Sequence, residues 1–288
     1  MEFFLQVLVG GLAVGALYGA VALGFVLMWN SASVVNFGQG DLVMIGGFFG
    51  YTLVGILHLP YLIGIPGALI GSFALGVLMH RLVIVPAGRA PLFAIIIITL
   101  GVAILLQQVA LNTWGAASVR LPGIIGDEPV RVGGVIVQRQ DLVVFFACFL
   151  MVVCLETFFA RTLTGKAMRA VAQDPDTALL MGIPGKRMVS IAFGLSAAMA
   201  ALAGVLLAPI TYLVWNQGLS ITLLAFAGAV LGGFGSLRGA FVGSLIIGVI
   251  VTFASAYVNA NFAIPVAFMV LVIVLLLRPA GIFRSAWA

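Results

Sequence analysis

The chain has little charge. Only 7% of its 288 residues are Asp, Glu, Lys or Arg, against about a quarter in an ordinary soluble domain. Hydrophobic residues make up 64% and the mean hydropathy is +1.30. Such a composition cannot clothe a water-facing surface, and it marks a polytopic membrane protein. Histidine and cysteine are also scarce, with two of each. His58 and His80 flank one apolar run and so fall on opposite sides of a bilayer, which excludes a shared acid–base site. Cys148 and Cys154 share another run at a spacing that suits neither a disulfide nor a metal site, and they read as packing residues. No His/Cys/Asp/Glu group has metal-ligand spacing, and no GxSxG-like turn offers a serine nucleophile. Gly165-Lys166 is not a phosphate loop, because Ala160 and Ala167 stand where the first glycine and the Ser/Thr belong. Catalysis, a cofactor and a nucleotide of its own are therefore not expected. The formal charge of +5 is spread over short loops, where basic residues set orientation, so it does not point to nucleic acid. The spans are nearly free of carboxylates, which argues against a proton-coupled carrier. Asp41 and Glu156 lie near span ends, and Glu156 is expected to pair with the nearby Arg161.

What is present is a series of apolar runs. Nine are predicted, over residues 3–29, 42–57, 61–79, 92–113, 142–160, 188–213, 220–234, 241–258 and 264–277. The expected fold is an all-α membrane bundle in one domain covering the whole chain. Residues 220–234 are short for a full crossing, so the bundle has nine spans, or eight and a half-helix. The opening MEFFLQVLVGG has no basic n-region and reads as the start of a retained span. Arg81, Arg89, the 161–187 segment, Arg238, Arg278 and Arg284 are expected to face the cytoplasm. That threading puts Glu2 and the 114–141 excursion outside and the C-terminus inside. The excursion balances Arg120, Arg131 and Arg139 against Asp127, Glu128 and Asp141, and GVIVQRQDL after Gly133-Gly134 predicts a small hairpin strand.

Three features stand out from the runs. Gly11, Gly15 and Gly19 repeat every fourth residue and form a smooth helix face for close packing in lipid. Gly235, Gly239 and Gly243 suggest a second such seam, with Arg238 beside it snorkelling to the headgroups. The break NSASVVNFGQGD, residues 30–41, is polar yet almost uncharged. Its Asn36, Gln39, Gly40 and Asp41 are candidates for a pathway or gate. The equal reading is a plain connection at the cytoplasmic interface.

Residues 161–187, RTLTGKAMRAVAQDPDTALLMGIPGKR, form the main polar island. A helix of about two turns is marked at both ends. Asp174 suits the N-cap and Pro175 the first helical position. Asp176 complements the dipole, Gly182 suits the left-handed position past the end, and Pro184 blocks continuation. So short a helix needs something to pack against.

These residues resemble a known family. DTALLMG, residues 176–182, is similar to the EAA-xxx-G loop of bacterial ATP-binding-cassette importer permeases, with Asp176 for the Glu and Thr177 for the first Ala. TLTGKAMRAVAQDPDTALLMGIP, NFGQGD at 36–41 followed by a Gly-Gly pair, and AVLGGFGSLRGAFVGSLIIG at 229–248 all resemble the branched-chain amino acid (Liv-type) permeases, in particular the shorter, H-type subunit. The resemblance covers nearly the whole chain. It implies a type II importer bundle of 8–9 transmembrane helices in the bacterial inner membrane. It also implies two ATPase subunits, a second homologous permease, usually a different one, and a periplasmic binding protein, with small amino-acid-like solutes as substrate. Asp174, Pro175, Asp176, Ala178, Leu179, Met181 and Gly182 would then form the coupling helix, with Ala178, Leu179 and Met181 as its docking face. The reading from another class is a passive channel or facilitator for small polar solutes.

Overall fold

In lipid no water is available to the backbone, and a helix satisfies nearly every peptide within its own segment. The structure, a computed structural model that describes residues 2–88, 90–126, 129–132 and 135–283, is accordingly built almost wholly of helix. Helix α1 runs Glu2–Ala32. Helix α2, Gln39–Gly50, continues as a π-helical turn to Ile56. Helix α3, Tyr61–Met79, passes through a second π segment, His80–Ile84, into the short α4, Val85–Ala87. Helix α5 is Leu92–Trp114. Strands β1, Val130–Val132, and β2, Val135–Val137, pair antiparallel with Val130 opposite Val137. Then follow α6 (Arg139–Arg161), α7 (Leu163–Gln173), α8 (Pro175–Leu180), α9 (Gly185–Leu207), α10 (Gly218–Gly232), α11 (Leu237–Tyr257) and α12 (Ala263–Leu277). Arg89, Asp127, Glu128, Gly133, Gly134 and Arg284, all used in the sequence reading, lie outside the described residues.

Among the described residues, seven helices are long and apolar enough to cross a membrane. The α2–π unit and α10 are further apolar segments of helix. α1 forms the axis of the bundle, with 83% of its apolar window buried, while α5 and α12 are peripheral at 22% and 17%. The glycine face of α1 lies on α11. A Cβ at Gly15 would stand 2.7 Å from the Leu245 Cα, one at Gly11 3.0 Å from the Val249 Cα, and one at Gly19 2.6 Å from the Phe241 ring. The backbones touch because no side chain intervenes, and dispersion between them replaces the hydrophobic drive that lipid does not supply.

The second glycine set divides. Gly239 and Gly243 face α10, where added Cβ atoms would lie 2.5 Å from the Gly232 carbonyl oxygen and 2.7 Å from the Gly232 Cα. Gly235 instead occupies the α10–α11 turn at φ +99, and its carbonyl accepts from Asn30 Nδ2 at 3.0 Å. It is a turn residue and not part of the seam. Arg238 also departs from expectation. It does not reach for headgroups alone but grips Glu156 with two hydrogen bonds, 2.6 Å from Nε and 2.9 Å from Nη2. That pairing joins α11 to α6 and takes Glu156 away from Arg161. The planar guanidinium matches a carboxylate edge to edge, which a sequence neighbour on the same helix does not offer here.

Candidate functional site

The break after α1 does not stay at the end of the bundle. Ser33 adopts φ +52, and the chain turns back between the helices. Asn36, Gln39 and Asp41 are completely buried. Gln39 Nε2 donates to the Ser196 carbonyl at 3.1 Å, halfway along α9, so this segment sits at mid-depth and not at an interface. The expectation of a cytoplasmic connection is corrected on that ground.

Irregular backbone at that depth survives only if its polar groups are met by protein. They are. Phe37 N–H donates to Thr99 Oγ1 at 3.2 Å, Gly38 N–H to Asn36 Oδ1 at 3.0 Å, and Gly40 N–H to Thr222 Oγ1 at 2.9 Å. Gln39 N–H donates to the Asn36 carbonyl at 3.2 Å. Gly40 is where α10 approaches most closely, since a Cβ there would stand 2.5 Å from Thr222 Oγ1. Ser196 Oγ lies 2.9 Å from Gln39 Oε1, and Gln107 Nε2 donates to Asp41 Oδ1 at 2.9 Å. Three buried atoms in this region have no partner: Asn36 Nδ2, Asp41 Oδ2 and Gln217 Nε2. Gln217 also lines a cavity of about 270 Å³ walled by Leu17, Tyr18, Val43, Leu207 and Ile221. This is a mostly apolar chamber with a polar edge beside the break.

Thr99, Gln107, Ser196 and Thr222 were missed from sequence. Each is an uncharged polar residue set in an apolar run, and that setting was the available signal, because a polar side chain in a span must find a partner within the protein. Among the described residues, no group of three His, Cys, Asp or Glu stands together as a metal site.

The polar island carries two helices, not one. α7 is held by Thr162, whose Oγ1 accepts from Gly165 N–H at 3.0 Å, and it buries Met168 and Val171. Arg169 donates back to the Phe159 carbonyl. α8 then begins at Asp174, whose Oδ1 accepts from the N–H groups of Asp176 and Thr177 at 3.1 and 3.0 Å. These bonds and the Thr177 hydroxyl, the largest cause, hold the Asp174 carboxyl below its ordinary range. Pro175 takes the first helical position. At the other end Gly182 sits at φ +80, with its N–H on Leu179 O and the Ile183 N–H on Ala178 O, both 3.0 Å. This crossed pair is a Schellman cap, which requires the left-handed residue that glycine supplies. Leu179, Leu180 and Met181 are 66%, 87% and 78% exposed, but Ala178 is 4% exposed. Ala178 therefore packs inward, and Leu180 takes its place on the outward face.

A helical bundle with an interior polar break and a capped apolar helix on a basic excursion defines a multi-pass membrane permease subunit. Residues 7–277 match the family described as branched-chain amino acid transport system / permease component, and the chain belongs to that family. It is 32% identical to the high-affinity branched-chain amino acid transport system permease protein LivH of Escherichia coli (strain K12), over 97% of this chain and 95% of that protein. It is 30% identical to the permease protein BraD of the corresponding system in Pseudomonas aeruginosa, over the same shares. Among solved structures, PsaBC from Streptococcus pneumoniae in complex with Fab is similar in fold, with a TM-score of 0.52, 18% identity, and coverage of 99% of this chain and 93% of that one.

Proposed function

We propose that the chain is one of two permeases in an ATP-driven importer of branched-chain amino acids or closely related small amino acids and amides, and that α8 is where an ATPase subunit delivers work. The observation that carries this reading is α8 itself. Six residues of helix cannot persist alone in water. Yet α8 is capped at both ends and turns Leu179, Leu180 and Met181 outward from a polar segment. An apolar patch on a capped, rigid element suits protein contact. The names of the relatives support the substrate class. The basic residues of 161–187 support a cytoplasmic position for this end, with the C-terminus on the same side. A second permease and an external binding protein complete the assembly. In this reading the break at 36–41 and the chamber beside it belong to the solute pathway.

The test is co-purification and uptake with Gly182→Trp. Loss of both the ATPase subunits and ATP-driven uptake is expected, while the permease pair itself still assembles. Intact association and uptake would overturn the role of α8. Vesicles containing this chain alone test the other class, since solute flux without ATP would make it a channel.

A further inference from the structure

The largest cavity at the basic end, about 720 Å³, lies between α4, α8 and the start of α9. Its wall includes Ile84, Val85 and Val189, and its rim carries Lys186 and Arg187. Neither cation is paired with a carboxylate among the described residues. Asp176 also borders the cavity, on the α8 side, and it has an interaction of its own. The surrounding structure adds to this. His80 lines the cavity at 4% exposure, its ring 5.3 Å from that of Phe193, and its Nδ1 is buried without a partner. That nitrogen is sealed off, so His80 forms part of the cavity wall and offers no donor to its contents. In addition, α9 opens after Pro184, so no side chain caps its first N–H groups, and those groups favour an anion. His80 begins a π-helical segment, a distortion that recurs at functional sites.

The source of the anion follows from the neighbouring surface. Leu78, Leu82 and Val85 are exposed in succession along the cytoplasmic half of α3–α4. Val85 also lines the cavity, so the cavity opens beside an apolar, bilayer-facing surface. A soluble anion has no use for such a surface, but an acyl chain does. We propose that the cavity holds the phosphate of one anionic phospholipid of the surrounding leaflet, with Lys186, Arg187 and the α9 N-terminus as its donors. The lipid then lies against Pro175 and Leu179 of α8, which border the same cavity, and steadies that helix. The site goes beyond the coupling reading and does not depend on it, because lipid retention is measured without nucleotide.

The experiment uses the complete transporter in nanodiscs of phosphatidylcholine with graded phosphatidylglycerol, followed by native mass spectrometry. One retained phosphatidylglycerol per copy of this permease is expected. In Lys186→Gln/Arg187→Gln its affinity should fall about twenty-fivefold, from about fivefold for each cation. The charge-conserving Lys186→Arg/Arg187→Lys should keep it, which separates lost binding from lost folding. Equal retention in wild type and the Gln pair overturns the proposal. So does displacement of the lipid by inorganic phosphate at equal phosphate concentration, which would make the ligand a soluble anion. Loss of the ATPase subunits from the Gln pair with lipid retention unchanged also overturns it, by assigning the cavity to the ATPase contact.

Discussion

Gln107 reaches across from α5 to hold Asp41 at the start of α2, Nε2 to Oδ1 at 2.9 Å, while the other carboxylate oxygen stays buried without a partner. A carboxylate this deep, held by a single neutral side-chain donor, is thinly provided for. Removing the donor leaves it worse placed. Gln107→Leu is expected to cost about 2–3 kcal/mol, read as a lower melting temperature of the purified protein. Adding Asp41→Asn to that variant should recover part of the loss, because an unpaired amide costs less than an unpaired carboxylate. A purely additive loss in the double variant would mean that the two residues do not act as a pair.

How much of this was legible in the sequence differs by feature. The runs and both ends of α8 follow from local chemistry: Asp174, Pro175 and Gly182 each have a residue type that fits one backbone position. Of GVIVQRQDL, expected as a hairpin strand, only Val135–Val137 is strand, because Arg139 already opens α6. The interior placement of 36–41 was not legible. A break that is polar but uncharged looks the same whether it lies at the surface or inside, and its partners Thr99, Gln107, Ser196 and Thr222 are scattered along three other helices. Glu156 and Arg238 are 82 residues apart, so a local rule preferred Arg161. The inward turn of Ala178 depends on how α8 rolls against α7 and α9, which no spacing within six residues fixes.

Gly182 separates conformation from crowding. Nothing lies within 4 Å of a Cβ built there, and its φ is +80. Gly182→Ala should therefore act only through the left-handed backbone, at about 1–2 kcal/mol, local to α8. Asn tolerates that conformation better and a β-branched residue worse. ATP-driven uptake should rank Gly, Asn, Ala, Val, with the melting temperature of the bundle little changed. A Val variant as active as the Asn variant would contradict the cap.

Asp174 makes a pH prediction. Its carboxyl is held below the ordinary range by Thr177 and the helix N–H groups. A depressed acid stabilises the fold above its unfolded value and stops doing so as pH falls through the folded value. The cap should therefore be fully present across neutral and mildly acidic pH and be lost only below the usual carboxylate range. Association with the ATPase should show no titration from this group between about pH 5 and 8. Asp174→Ala should weaken that association at every pH in the window, whereas a variant effect appearing only at one end of it would point to another group.

The α1–α11 contact gives a matched pair of substitutions. Gly10 has nothing within 4 Å of a built Cβ, whereas at Gly15 the Leu245 Cα would lie at 2.7 Å. Gly10→Val should be tolerated apart from propensity. Gly15→Val must push two backbones apart, at about 1–3 kcal/mol or more, visible as lower yield and melting temperature. Equal behaviour of the two would deny that the glycine face packs as described.

Whether the buried break moves is a question for Asn36 and Gln39. Both are sealed in this conformation, and Gln39 is tied to α9 through Ser196. A gate must release those bonds at some stage of the cycle, exposing backbone that protein now satisfies, and water entering the pathway would take over as partner. Cysteines at 36 and 39, introduced singly with Cys154→Ala, report this directly. Cys154, expected to pack, instead lies on the outer surface of the spanning helix α6, and its removal leaves the buried Cys148 as the silent internal reference. In the resting transporter neither introduced thiol should react with a small water-soluble maleimide. During ATP turnover with substrate-loaded binding protein, labelling should rise at both positions while Cys148 stays unlabelled. Unchanged labelling between the two conditions would make the break a fixed structural plug, and the pathway would have to pass elsewhere.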